Sequence, residues 1–279
     1  MADGDMPRKF LLSQSRNGLL AWSSQVRMAE VFGWSLADVE AEALAAGLLP
    51  ARYARNRSTF SIDDQLRFCR ARVGVIGCGG IGGHVVEGLA RLGVGTIVAI
   101  DPDCFDESNL NRQLFATIAM LGKEKVEAAG QRVSAVNPAI NVVPCRQRLT
   151  RENGATLLEG CAVAVDALDS IAARMELADV CDTLGIPMVH GAIAGWYGQV
   201  SVRFPGEATL DHLYGRGDGA GEQTRLGNPS FTPMAAAACE IAEVCKILTG
   251  QGRPLRERVL MLDLHEATFD EIGFSSEES

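Results

Sequence analysis

The stretch "VGVIGCGGIGGHV", residues 73–85, constrains this chain more than any other. A short apolar run passes through Gly77, Gly79, Gly80 and Gly82 into a helical pattern. Without Cβ atoms the backbone can turn sharply there and lie against a phosphate. The start of the following helix offers unpaired N–H groups and the positive end of its dipole. Asp101 closes the next strand-like run, "TIVAID", about 20 residues after Gly82, where an acid can accept both ribose hydroxyls. Strand, GxGxxG, helix, strand and Asp together mark an adenine-nucleotide site. The motif alone does not choose between a dinucleotide and ATP.

The alternation continues on both sides of it. Beyond "TIVAID" come a helix "KEKVEAAGQRVSAV" ended by Asn137-Pro138, a strand "INVVP" and a short helix capped by Thr150. Then follow a strand "CAVAVD", a helix "IAARMELADVCDTL" capped by Ser170 or Asp169 and stopped by Gly185, and strands in "PMVHG" and "GQVSVRF". Strands separated by helices predict an α/β fold with a doubly wound, mainly parallel, Rossmann-like sheet whose ligand edge lies at the strand C-termini. A glycine-rich crossover segment at about 205–233 precedes a final helix and the strand "RVLMLD". Residues 1–50 read as a small helical extension, with Ser35 capping its second helix and Gly47 and Pro50 ending it. The expected division is therefore 1–50 and 51–279.

Composition narrows the class. A formal charge of −9 disfavours general nucleic-acid binding, which needs many neutralised phosphates. No apolar run approaches the roughly 20 residues of a membrane span, and no signal sequence opens the chain, so a cytoplasmic protein is expected. None of the eight cysteines forms a CxxC pair, which argues against zinc. Disulfides are not expected in a reducing cytosol.

The segment "DESNLNRQLF", residues 106–115, favours ATP. Arg112 stands on a loop at the ligand edge, and Lys125 begins the next helix. A triphosphate needs more cationic compensation than a diphosphate, above all at an attacked α-phosphate. Asn109 can orient a phosphate or ribose, with Gln113 assisting. Asp166 and Asp169, in "VDALDS", offer carboxylates for Mg²⁺ on the same edge. Arg174 reads as structural, and His84 and His190 as packed or capping residues.

"RYARN", "GCGGIGGHV", "SNLNRQ", "GKEK", "VDALDS" and "GQVSV" occur in an order and spacing that resemble the ThiF/MoeB/HesA family of sulfur-carrier adenylyltransferases. Those proteins share the nucleotide-binding fold of ubiquitin-activating enzymes. The resemblance runs from about Arg52 to the C-terminus and leaves residues 1–50 outside. It implies ATP and Mg²⁺ as cofactors, with Gly80, Asp101 and the segment Ser108 to Arg112 on the nucleotide. It implies Lys125 at the α-phosphate, Asp169 with magnesium beside Ser170, and Arg55 as an arginine finger supplied across a homodimer. The implied partner is a small ubiquitin-like carrier ending in Gly-Gly. Its glycine carboxylate would attack the α-phosphate and release pyrophosphate.

The sequence departs from the family pattern in three ways. Residues 196–232 hold no cysteine, paired CxxC motifs are absent, and Ser170 replaces a common asparagine. Adenylylation is thus expected without sulfur transfer by this chain, and Cys181, Cys239 and Cys245 are poorly placed substitutes. Three other readings stay open at this level. One is a tRNA-modifying dehydratase of the same fold, favoured by "VDALDS" but not by "SNLNRQ" or the charge. The others are an NAD-dependent dehydrogenase and a non-catalytic binding module.

Overall fold

The computed structural model describes residues 5–215 and 226–274. Three short helices open it: α1 (Asp5–Gln14), α2 (Trp22–Phe32) and α3 (Leu36–Ala45). Leu11, Leu20, Met28, Val39, Ala43 and Leu48 form their small core. Leu19 and Leu20, which lie in a helical stretch by sequence, instead form strand β1 and pair in parallel with β2 (Leu49–Pro50). Ser35 caps α3 as expected: its Oγ accepts the Asp38 N–H at 3.1 Å, and the Asp38 carboxylate accepts the Ser35 N–H at 3.1 Å. Replacing Ser35 by alanine removes this reciprocal cap. Urea denaturation should register a loss of about 1 kcal/mol.

After α4 (Ile62–Arg70) the doubly wound unit begins. Its elements are β3 (Arg72–Ile76), α5 (Gly80–Leu92), β4 (Thr96–Ile100), α6 (Lys125–Val136), β5 (Asn141–Cys145), α7 (Gly154–Leu157), β6 (Val163–Asp166), α8 (Ile171–Leu184) and β7 (Met188–Ala194). There follow β8 (Tyr197–Arg203), α9 (Thr209–Tyr214), α10 (Phe231–Thr249), β9 (Arg258–Asp263) and β10 (Thr268–Gly273). One sheet of 8 strands runs β10-β9-β8-β7-β6-β3-β4-β5. The half from β5 to β7 is parallel, whereas β8, β9 and β10 are antiparallel additions.

Alternation along the central strands sends side chains to opposite helical layers. Val73, Val75, Ile97, Ala99 and Val165 pack with α5, α6 and α10, while Ile76, Val98, Ile100 and Ala164 pack with α8. The crossover from β3 leads to β4 on one side, and the later crossover from β5 returns to β6 on the other side of β3, so a crevice opens past the C-terminal ends of β3 and β6.

Two local readings need correction. Thr150 does not cap α7; the Asn153 side chain accepts the Thr150 N–H at 2.8 Å, and the helix begins at Gly154. Strand β10 was not expected. All its residues are exposed, so it lacks the apolar alternation that marks a half-buried strand. The crossover expected at about 205–233 lies partly outside the described residues.

Candidate nucleotide site

A cleft of about 340 Å³ opens at this switch point. Gly77, Gly79 and Gly80 line it, together with Asp101, Asp103, Arg112, Gln113, Lys125, Arg148, Asp169, Ser170 and Asn228. The helices α5, α6 and α8 all begin at residues on or beside it.

The glycines divide the work. Gly77 has φ of +94°, and a Cβ there would lie 2.6 Å from the Ala167 carbonyl oxygen. A Cβ on Gly82 would lie 1.7 Å from the Gly77 carbonyl oxygen, so this position sets the contact of helix and loop and does not line the cleft. Gly79 and Gly80 line the cleft, where an added Cβ meets nothing closer than 3.4 Å. No side chain caps the start of α5, so its first N–H groups point at the cleft unpaired.

Asp101 sits buried at the end of β4. Its Oδ2 accepts the Cys78 N–H at 2.7 Å and its Oδ1 the Asp103 N–H at 2.8 Å, so the acid braces the glycine loop directly. Each oxygen keeps a second lone pair for a ribose hydroxyl. Burial raises its pKa, opposed by nearby Lys125 and the backbone donors. Lys125 is itself buried, with Nζ 2.9 Å from Asp103 Oδ2 and 3.8 Å from Asp101 Oδ1.

Arg112 lines the cleft over Gly80, and its Nη1 donates to the Ser108 carbonyl at 3.0 Å and Asn111 Oδ1 at 2.9 Å. Ser108 and Asn109, expected at the nucleotide, do not line the cleft. Asn109 Oδ1 accepts the Asp106 N–H, and Asp106 accepts the Ser108 N–H. They build the turn that presents Arg112. Arg148 and Asn228 were not singled out from sequence. Arg148 follows β5, whose C-terminal end faces the same edge, and that topology was the available signal. Asn228 is tied in when its carbonyl accepts from Asn111 Nδ2 at 3.0 Å. Gln113 and Asn228 both line the cleft, and their side-chain oxygens are buried without a donor.

The two aspartates of "VDALDS" part company. Asp166 is fully buried and bonded to His190, which removes it as a magnesium ligand. Asp169 is exposed and lines the cleft; Ser170 caps α8 by accepting the Ala173 N–H at 3.3 Å, so Asp169 is not spent on capping. Among the described residues no group of three or more His, Cys, Asp or Glu is arranged to hold a metal. A lone carboxylate at a phosphate cradle still fits Mg²⁺, which commonly takes one or two carboxylates and draws its other ligands from phosphates and water. Arg174 and His190 are buried and structural, in keeping with the sequence reading. Burial holds the His190 pKa below the ordinary imidazole value, although its bond to Asp166 pulls the other way.

Arg55 is exposed and does not line the cleft of its own chain. It rides on a 3₁₀ turn, residues Ala51–Asn56, whose neighbours are firmly held. Tyr53 is fully buried, donating to Glu40 Oε1 at 2.7 Å and accepting from Asn137 Nδ2 at 2.7 Å. Arg52 donates to Glu40 Oε2 and Gln25 Oε1, each at 2.7 Å, and to Asn137 Oδ1. Of the cysteines, Cys181 and Cys245 are buried, and burial pushes both thiols up to about 12. Burial also raises Cys239. Such thiols are poor nucleophiles at neutral pH.

A glycine loop at an open helix end, a buried acid closing β4, two cations and a free carboxylate share one cleft, the arrangement of a nucleotide site in the doubly wound class. The ThiF family profile matches residues 53–279, and the chain belongs to that family. It is 32% identical over 215 residues to the SAMP-activating enzyme E1 of Haloferax volcanii, covering 76% of this chain and 80% of the relative. It is 33% identical over 216 residues to the sulfur carrier protein adenylyltransferase of Thermus thermophilus, covering 74% and 80%. The crystal structure of PaaA superposes with a TM-score of 0.68 at 22% identity, covering 81% of this chain and 82% of that one, and shares the fold.

Proposed function

We propose that this chain is an adenylyltransferase that uses ATP to activate the C-terminal glycine carboxylate of a small ubiquitin-like sulfur-carrier protein. The observation that carries the reading is the convergence of Lys125, Arg112, the uncapped start of α5 and Asp169 on one cleft. The carboxylate oxygen bonds to the α-phosphorus, the bond to the bridging oxygen breaks, and pyrophosphate leaves. An α-carboxyl group with a pKa of about 3.5 is already ionised at neutral pH, so no general base is required. What the protein supplies is position and positive charge.

In this reading Asp101 receives the ribose, Gly77, Gly79 and Gly80 shape the phosphate cradle, and Gly82 supports it from behind. Lys125 and Arg112 steady the α-phosphate, and Asp169, with Ser170 next to it, would hold a magnesium ion that offsets phosphate charge. Ser108 and Asn109 act through Arg112. Arg55, held outward by its turn, reaches the cleft of a second copy, which makes the working unit a homodimer. Residues 1–50 serve as a helical extension to an adenylyltransferase domain spanning 51–279. The three high-pKa thiols, Cys181, Cys239 and Cys245, support a chain that hands its adenylate to a separate sulfur donor. We place it in the cytoplasm; among the described residues no helix is long and apolar enough to cross a membrane.

The test is pyrophosphate exchange into ATP with each Gly-Gly-ended carrier encoded by the same organism, alongside total tRNA. Exchange that depends on one carrier and vanishes when its last glycine is removed is expected. Exchange driven by tRNA alone would transfer the site to the dehydratase reading.

A further inference from the structure

Beneath the cleft, Asp166 at the end of β6 and His190 within β7 are buried polar side chains that adenylylation does not use. Asp166 Oδ2 accepts from His190 Nδ1 at 2.7 Å, and its Oδ1 accepts the Leu168 N–H at 3.0 Å. A carboxylate only accepts, so Nδ1 carries a proton, and the Tyr214 oxygen already takes two donors, which leaves its own proton for Nε2. The Tyr214 hydroxyl, 2.9 Å away, therefore donates to Nε2. Its oxygen accepts in turn from Gln199 Nε2 and Arg174 Nη1, both at 2.8 Å. The other Nη of Arg174 donates to the Leu168 carbonyl at 2.7 Å, while its Nε lies 3.5 Å from Asp166 Oδ2.

These contacts close a ring that grips Leu168 from both sides. Asp166 holds its N–H and Arg174 holds its C=O. That carbonyl belongs to the peptide leading into Asp169, so its plane sets where the Asp169 Cα and carboxylate point. Leu168, Asp169 and Ser170 line the cleft, whereas Asp166, Arg174, His190, Gln199 and Tyr214 do not. Asp169 is exposed, and among the described residues its side chain has no hydrogen-bond partner. Its aim is thus set by the backbone. Tyr214 is the member from furthest along the chain, at the end of α9.

We propose that Asp166, His190, Tyr214 and Arg174 form a positioning ring that holds the Asp169 carboxylate in register with a divalent cation on the nucleotide's phosphates. The inference rests on the adenylylation reading, but its residues touch neither nucleotide nor carrier. Outer partners of a metal-binding carboxylate typically change metal affinity by about 10–100-fold.

The test uses Tyr214→Phe, which deletes one donor and one double acceptor without changing ring shape. Calorimetry measures binding of a non-hydrolysable ATP analogue with Mn²⁺ and, separately, with EDTA. Wild type should bind better with the metal. In the variant, affinity in EDTA should be unchanged while affinity with Mn²⁺ falls about tenfold. Hydrogen exchange should quicken at the Leu168 amide and not along α5. Should Tyr214→Phe fail to fold, Arg174→Lys gives the same reading, because an ammonium cannot span the Leu168 carbonyl and Tyr214 together. Equal metal dependence in wild type and variant, or an equal loss with and without metal, would overturn the ring. A wild-type protein that binds no nucleotide in either condition would overturn the adenylylation reading, and the ring with it.

Discussion

Lys125→Ala and Arg112→Ala each abolish carrier-dependent pyrophosphate exchange while leaving thermal unfolding cooperative. The expected loss is about 10²–10³-fold per residue, the usual effect of deleting one preorganised charge at a developing oxyanion. The two act from different settings. Lys125 is buried between Asp101 and Asp103, so its ammonium is already desolvated and aimed. Removing it also leaves the buried Asp101 without its cation, which raises that acid's pKa further. Arg112 is half-exposed and holds the Ser108 carbonyl and Asn111 in the free protein, contacts it must trade for phosphate oxygens. Lys125→Ala should therefore weaken nucleotide binding as well as turnover, while Arg112→Ala acts mainly on turnover. Wild-type exchange in either variant would remove that residue from the chemistry.

Gly79→Ala and Gly82→Ala should fail in opposite ways, although both remove a glycine from one loop. A methyl on Gly79 meets only the Gln113 carboxamide, at 3.5 Å, so the variant folds. The methyl then occupies the space over the uncapped α5 start and keeps phosphate from the N–H groups, so nucleotide affinity collapses. A methyl on Gly82 would sit 1.7 Å from the Gly77 carbonyl oxygen, a backbone atom that has no other place to go. Overpacking costs about 1–3 kcal/mol where side chains can yield and more where backbone must move. Gly82→Ala should therefore lose at least about 3 kcal/mol in denaturant titration. A Gly82→Ala protein as stable as wild type, or a Gly79→Ala protein with full nucleotide affinity, would contradict this division of roles.

What the sequence makes legible here is what depends on short spacing. The glycine loop, Asp101, Lys125 at the head of its helix and Asp169 with Ser170 all follow from local periodicity and from which strand ends share an edge. Contact and scaffold, by contrast, look alike in sequence. Ser108 and Asn109 carry the same polar atoms whether they meet a phosphate or cap a turn, and only the fold shows the second. The fates of Asp166 and Asp169, three positions apart, are decided by a neighbour from another strand: His190 is in register with Asp166 across β6 and β7. Arg148 reaches the cleft because it follows a strand that ends at the shared edge, whereas the segment of Asn228 carries no pattern that points there. Strand β10 escapes notice because pattern reading detects burial, and it buries nothing.

The Glu40–Arg52–Tyr53–Asn137 cluster bears on where this molecule can be divided. The family match begins at Tyr53, yet the groups that satisfy Arg52 and Tyr53 come largely from upstream helices. Severing the chain at that border would strand a phenol, and the Asn137 carboxamide beyond it, in an apolar interior. Burial already raises the Glu40 pKa against the pull of Arg52 and the Tyr53 hydroxyl, and a cut there leaves Arg52 with Glu40 but takes the hydroxyl away. The helices ahead of the matched segment are thus a keystone for the turn that carries Arg55, and evolution could exchange them only together with what they lock in place.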